Sequence, residues 1–247
     1  MKSRQRLDLF LVSKGLAPTR EKAQALILAG LVEVDGRRAE KAGAQIVEDA
    51  DVQVSGPPHP YVSRGGVKLA AALDAFQVDP TGKVCLDVGA STGGFTDCLL
   101  QRGASRVYAV DVGRGQLDAR LRGDRRVLVR EKVNARNLSS EDVPEPVSIA
   151  AMDLSFISAR LVIPAVVPLL SPGGTLIVLV KPQFEAGRHE VPKGGVVKSE
   201  ETRRRVVEEI ESFARGVGLE GLGAIESPIR GAAGNVEFLA AFRVSLN

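Results

Sequence analysis

Val84-Cys-Leu-Asp-Val-Gly-Ala-Ser-Thr-Gly-Gly94 is an apolar, strand-like run that breaks into a glycine-rich turn and leads into a helical pattern. A buried strand, a tight turn and a helix in this order form the cofactor position of a Rossmann-like sheet. The glycine spacing narrows the ligand. A dinucleotide fingerprint, Gly-x-Gly-x-x-Gly, needs its second glycine so that backbone can approach a pyrophosphate. Here that position is Ser91, and the glycines fall at Gly89, Gly93 and Gly94. A P-loop ending in Lys-Ser/Thr is also missing. A loop that need not wrap a pyrophosphate tolerates this pattern, which tilts the reading towards S-adenosylmethionine. Asp111 ends the next apolar run, where an acid can accept hydrogen bonds from ribose hydroxyls. The plainer alternative is a glycine turn used for packing and an Asp that caps a loop.

Around that turn, apolar strands alternate with helices. Strands are expected at Val84–Val88, Arg106–Asp111, Val127–Arg130, Ser148–Asp153 and Thr175–Lys181, with two more near Gly223–Ser227 and Val236–Val244. Helices are expected from Gly65 through Phe76, at Thr96–Arg102 and Ala159–Leu170, and over about 200–215. This alternation predicts an α/β fold with a mainly parallel sheet, whose ligands bind at the carboxyl ends of the strands.

The N-terminal part reads differently. Leu7, Phe10 and Leu11 have helical spacing, Gly15 can end that helix, and Thr19 can cap a second one. Val32 and Val34 before Asp35-Gly36 suggest a strand and hairpin, and Asp51–Val54 a further strand. The expected organisation is a small α+β domain over 1–56, a linker over 57–64 and the large domain over 65–247. Ser55-Gly-Pro-Pro-His-Pro60 supports the linker, because its prolines continue neither strand nor helix.

Composition limits the function. The chain has 247 residues, a formal net charge of +3 and 4% aromatic residues without Trp, so a ladder of base-stacking platforms is not expected. Charge is concentrated locally. Residues 1–38 hold eight Lys/Arg against four Asp/Glu, and Arg102–Lys132 nine against four. Either segment reads as a phosphate-binding face or as a solvated helix face. In the first, Arg4, Arg6, Arg20 and Lys22 are the candidate contacts to nucleic-acid phosphates. Cys85 and Cys98 match no metal motif, His59 and His189 are too few and too far apart, and no metal site is expected. With no signal peptide and no membrane-length apolar stretch, a soluble cytoplasmic protein is expected.

Asp153 and Lys181 each end a predicted strand directly after apolar residues, at the edge where the cofactor would sit. A charge there faces the cleft or suffers desolvation. Lys181 can take a proton from a hydroxyl if burial or a nearby cation lowers its pKa, or it is simply a solvated strand-end lysine. Lys68 beside an apolar stripe reads as a snorkelling surface lysine, and Glu237 after Gly-Asn-Val as a solvated edge residue.

Taken together, Ser63-Arg-Gly-Gly-Val-Lys-Leu69, Asp87–Thr96, Asp111-Val-Gly-Arg-Gly-Gln-Leu117, Asp153-Leu-Ser-Phe-Ile-Ser158, Lys181-Pro-Gln-Phe-Glu185, Gly194-Gly-Val-Val197 and Gly234-Asn-Val-Glu-Phe238 form a specific, ordered set. Through them the chain resembles the TlyA family of ribosomal-RNA 2′-O-methyltransferases, often labelled hemolysin A. The resemblance implies an FtsJ/RrmJ-like methyltransferase domain behind an S4-like RNA-binding domain. It implies a Lys-Asp-Lys-Glu tetrad at Lys68, Asp153, Lys181 and Glu237. The cofactor residues it implies are Asp87, Gly89, Ala90, Ser91, Thr92, Gly93, Gly94, Phe95, Asp111, Asn134 and Asp153. The implied substrate is cytidine ribose in ribosomal RNA or ribosomal subunits, of the large subunit and, in some members, of the small one too. The further C-terminal helix of dual-site members is not expected after the last predicted strand, whereas the N-terminal helix is, so single- and dual-site action both stay open. The linker reads Pro58-His-Pro-Tyr-Val62 in place of the Arg-Ala-Trp-Val form of some relatives. Weighed against a methyltransferase are a non-catalytic RNA-binding assembly factor, a membrane-active hemolysin and a dehydrogenase.

Overall fold

A computed structural model describes residues 4–17, 19–28, 30–54, 59–187, 190–231 and 234–245. The chain divides into two compact units, Met1–Pro60 and Tyr61–Asn247. Pro57 and Pro58 of the predicted linker, with Ser55 and Gly56 before them, and His189 lie outside the described residues.

The first unit contains β1 (Arg4–Arg6), α1 (Leu7–Ser13), α2 (Arg20–Leu28), β2 (Val32–Val34), β3 (Arg37–Arg38), β4 (Gln45–Val47) and β5 (Val52–Val54). Gly15 follows α1 at φ 70°, and the Lys22 amide donates to the Thr19 hydroxyl at the start of α2, as the stop and cap signals predict. Asp35 and Gly36 both have positive φ and join β2 to β3, the geometry of a tight hairpin. β1 and β4 pair antiparallel. Three residues each are too short to show a period, so neither strand was legible. Leu7, Phe10, Leu11, Ala23, Ile27 and Val32 make the core of this unit.

The second unit begins with α3 (Gly65–Ala75), β6 (Val84–Val88), α4 (Gly94–Gln101), β7 (Arg106–Asp111), α5 (Ala119–Arg122), β8 (Val127–Glu131) and β9 (Val147–Met152). It continues with α6 (Ile163–Val166), β10 (Leu170–Val180), α7 (Pro182–Glu185), α8 (Glu200–Gly216), β11 (Leu219–Glu226) and β12 (Phe238–Val244). The seven strands lie in the order β11-β12-β10-β9-β6-β7-β8. β6 to β10 run parallel, and β12 is antiparallel to both neighbours. Alternate residues face opposite layers. Leu86, Val88, Tyr108 and Val110 pack with Val206 and Ile210 of α8, whereas Cys85, Val107 and Ala109 pack with Leu69 of α3 and Leu99 of α4.

Three expectations are corrected. Lys68, expected as a snorkelling surface lysine, is buried on α3. Ala159–Leu170 is not one helix. Pro164 and Pro168 cut it into a 3-10 turn, the short α6 and a second 3-10 turn, because each proline removes a backbone donor and clashes with the preceding turn. Glu237 is not on a solvated edge. β12 starts at Phe238, and Glu237 is buried just before it.

Candidate active site

The sheet order reverses at β6, which has β7 on one side and β9 on the other. The carboxyl ends of β6 and β9 therefore open a crevice at the switch point. Gly89 leaves β6 at φ 86°, and a Cβ there would lie 2.4 Å from the Asp153 carbonyl oxygen, so only glycine lets the turn pass over the end of β9. A Cβ on Gly94 would meet the Ser63 hydroxyl at 2.2 Å and the Gly66 amide nitrogen at 3.0 Å. The small residues let the start of α3, and with it Lys68, lie directly against the start of α4.

The four tetrad candidates converge on one cavity as two ion pairs. Lys68 Nζ lies 2.5 Å from Glu237 Oε2, with both side chains almost buried. Lys181 Nζ lies 2.6 Å from Asp153 Oδ1 and donates to Ser155 Oγ at 3.0 Å. Glu237 reaches this edge because β12 is antiparallel: its amino end pairs with Val180, the residue before Lys181. Gly231 makes room for the carboxylate, since a Cβ there would come within 2.3 Å of Glu237 Oε1.

The cavity, about 260 Å³, is also lined by Asp87, Gly89, Ala90, Ser91, Thr92, Gly94 and Phe95. Of the turn residues named from the sequence, Gly93 is not on this wall. It faces Leu117 and Leu121, and its φ of 97° serves the start of α4. A second cavity of about 460 Å³ adjoins the first and shares Gly89, Ser91 and Asp153 with it. Asp111 and Asn134 stand here among apolar neighbours such as Val112, Val133 and Ala135. The Ser91 amide donates to Asp111 Oδ2 at 2.8 Å, and the Gly113 amide to Oδ1 at 2.7 Å. Asn134 Oδ1 accepts from the Arg136 amide, which fixes the side chain.

Asp87 is fully buried. Its Oδ2 accepts from the amide and hydroxyl of Thr96 at 2.8 and 2.6 Å, while Oδ1 has no protein partner. Burial, opposed by the Thr96 bonds and reinforced by the nearby Asp153 and Asp111 charges, pushes this carboxyl up to about 7. The buried Cys85 and Cys98 thiols are pushed up to about 12 by desolvation, so neither is a reactive thiolate near neutral pH.

In the first unit, Arg4 and Lys22 are exposed. Arg6 and Arg20 both donate to the buried carboxylate of Asp8, at 2.9–3.0 Å. Five of the nine cations of the second basic segment pair with acids inside or beside it: Arg102 with Asp74, Arg106 with Glu145, Arg120 with Asp118, Arg122 with Glu131 and Arg126 with Asp124. That pattern fits a solvated surface better than a phosphate-binding stripe.

The FtsJ-like methyltransferase profile matches residues 61–244, and the S4 domain profile residues 5–52. The 16S/23S rRNA (cytidine-2′-O)-methyltransferase TlyA of Mycobacterium tuberculosis is 44% identical over 239 residues, which span 96% of this chain and 89% of that protein. The chain belongs to the TlyA family. A solved structure from Streptococcus thermophilus, described as a hemolysin, is 41% identical, with a TM-score of 0.78 over 99% of this chain and 90% of that one. An S-adenosylmethionine-dependent methyltransferase from Mesorhizobium loti shares the fold at 17% identity, with a TM-score of 0.53 over 70% of this chain and 96% of that one. The TlyA-family chain thus joins an S4 domain to a methyltransferase domain whose cofactor is S-adenosylmethionine. Among the described residues, no helix is long and apolar enough to cross a membrane.

The residues present fit that cofactor. The buried Asp87 oxygen suits the ammonium of its methionine part, the Asp111 carboxylate suits ribose hydroxyls, and the apolar wall beside Asn134 suits a base.

Sequence reasoning passed over Phe156. It is 90% exposed at φ 66°, with its ring centroid 5.2 Å from that of Phe184, on the loop that opens with Asp153. An exposed Phe held in the left-handed region is costly unless something needs it there. The residue type stands in the sequence, but the conformation does not.

Proposed function

We propose that the chain transfers the methyl group of S-adenosylmethionine to the 2′-oxygen of a cytidine ribose in the RNA of ribosomal subunits, in the cytoplasm. The convergence of both ion pairs on the glycine-turn cavity carries this reading. When bound, the cofactor supplies a methyl group on a positively charged sulfur, already activated for in-line attack. The chain's own residues then have two tasks, alignment and proton management.

Lys181, once its Nζ has released a proton to solvent, accepts the 2′-hydroxyl proton there as the methyl group passes to the oxygen. Asp153, 2.6 Å away, stabilises the ammonium that results. Lys68 stands across the cavity as a cation already offset by Glu237, so its part is to donate a hydrogen bond rather than to repel the charge on Lys181. Phe156 offers a face on which a base can stack at the cavity mouth. A ribose 2′-oxygen as acceptor commits the enzyme to RNA over DNA. Arg4, Arg6, Arg20 and Lys22 of the S4 domain hold phosphates and fix orientation.

The test is incubation with labelled S-adenosylmethionine and separated ribosomal subunits, followed by mapping of the modified nucleotide. A labelled cytidine ribose is expected. No label in either subunit, or label on a base, overturns the reading.

A further inference from the structure

We infer that Glu185 is a positioning residue for methyl transfer, acting through the loop that carries Asp153 and Phe156. The inference rests on the methyl-transfer reading above.

The loop from Asp153 to Ser158 lies against the segment from Lys181 to Glu185; besides the Lys181–Ser155 hydrogen bond, contacts at the start, middle and end tie them in register. Asp153 meets Lys181 at 2.6 Å. Phe156 meets Phe184, ring to ring, at 5.2 Å. At the far end both oxygens of the Glu185 carboxylate are used: Ser158 Oγ donates to Oε2 at 2.5 Å, and the Ala159 amide donates to Oε1 at 2.6 Å. Glu185 is buried. Arg160 adds charge from outside, 3.6 Å from the same carboxylate and bonded to Glu209 of α8.

This arrangement closes the loop at both ends. The first contact joins two groups assigned to the chemistry. The last joins none, yet a buried carboxylate that accepts two short hydrogen bonds is a strong anchor. Between them Phe156 holds a backbone conformation that a bulky residue adopts only when its surroundings impose it. Without the Glu185 anchor, the loop can relax from the left-handed turn, which moves Phe156 off Phe184 and loosens Asp153 against Lys181. A shift of this kind, even of about 1 Å, is enough to slow a transfer that depends on alignment by one to two orders of magnitude.

Glu185→Gln is the direct test, because the amide is isosteric but neutral, so both charge-assisted bonds weaken and Arg160 loses the charge it faces. With ribosomal subunits and labelled S-adenosylmethionine, kcat is expected to fall about tenfold or more, with KM for the cofactor within about twofold of wild type. Amide hydrogen exchange is expected to accelerate over residues 154–161 and to stay unchanged over 84–94. In the Phe156→Ala background, Glu185→Gln is expected to add little, because both act through one loop. Should Glu185→Gln fail to fold, Ser158→Ala removes one contact and leaves the carboxylate; a smaller loss of kcat, with the same exchange pattern, is expected. Wild-type kcat in Glu185→Gln, or losses that multiply in the double variant, overturn the inference. A wild-type protein that methylates neither subunit overturns the methyl-transfer reading and the positioning role with it, which is distinct from an active wild type beside an unaffected Glu185→Gln.

Discussion

Asp8 in the S4 domain and Asp87 in the methyltransferase domain are both fully buried aspartates, and they titrate in opposite directions. Asp8 is surrounded by donors. Arg6 binds it through two nitrogens, Arg20 and Gln24 add one bond each, and the Leu9 amide a fifth. Those bonds hold its carboxyl well below the ordinary value. Asp87 has only Thr96 on one oxygen, and its carboxyl rises to about 7. Burial alone therefore does not define a carboxylate's role. Asp8 is satisfied within its domain and reads as structure that also orients two arginines. Asp87 keeps an oxygen for something the chain does not provide, as expected of a ligand site.

The contrast can be tested from its catalytic end first. Lys181→Ala should lower methyl transfer about a thousandfold or more, with cofactor affinity nearly unchanged in calorimetry. Wild-type turnover in that variant would remove Lys181 from the proton step. Asp87→Ala should weaken cofactor binding by about a hundredfold and leave the unfolding of the S4 domain alone. Asp8→Ala should do the reverse, lowering the thermal midpoint of the S4 domain by roughly 10 °C or more and leaving cofactor affinity intact. If both variants damaged the same property, the distinction between the two aspartates would fail.

The pH dependences have opposite signs. The lowered Asp8 carboxyl contributes stability that is present above about pH 4 and lost as pH falls towards its folded value. The raised Asp87 carboxyl binds a proton more tightly in the folded chain than in the unfolded one. The ligand-free methyltransferase domain should therefore lose stability as pH rises from about 4 to about 7. If the ionised carboxylate holds the cofactor's ammonium, affinity should rise about tenfold between pH 6 and pH 8, and Asp87→Asn should flatten that slope. The smallest effect is expected from Arg20→Ala. RNA affinity should fall a few-fold, with the salt dependence of binding reduced by about one unit of slope.

The parts of the fold that were legible are those written in local pattern. β6, β7 and β9 are short apolar runs, and the turn from Gly89 to Gly94 is dense in glycine. Lys181 and Asp153 were visible as charges placed directly after apolar strands. Lys68 and Glu237 were not, because each reads locally as a surface residue and only the family resemblance singled them out. Phe156 and Glu185 stand in motifs quoted from the sequence, but their tasks depend on a left-handed backbone and on a contact across 26 or 27 residues of chain.

By itself, then, the sequence determined the alternation that builds a parallel sheet, the absence of a pyrophosphate-wrapping turn, and an ordered set of motifs specific to one family. These depend on residue type and short spacing, which folding does not rearrange. Only the tertiary structure decided that β12 runs antiparallel and delivers Glu237 to Lys68, that Gly93 packs while Gly89 lines the cavity, and that Asp87 keeps an unpartnered oxygen where Asp8 does not. Each of these follows from which distant groups meet in space, and burial changes the energy of a charge according to those neighbours rather than to its place in the chain.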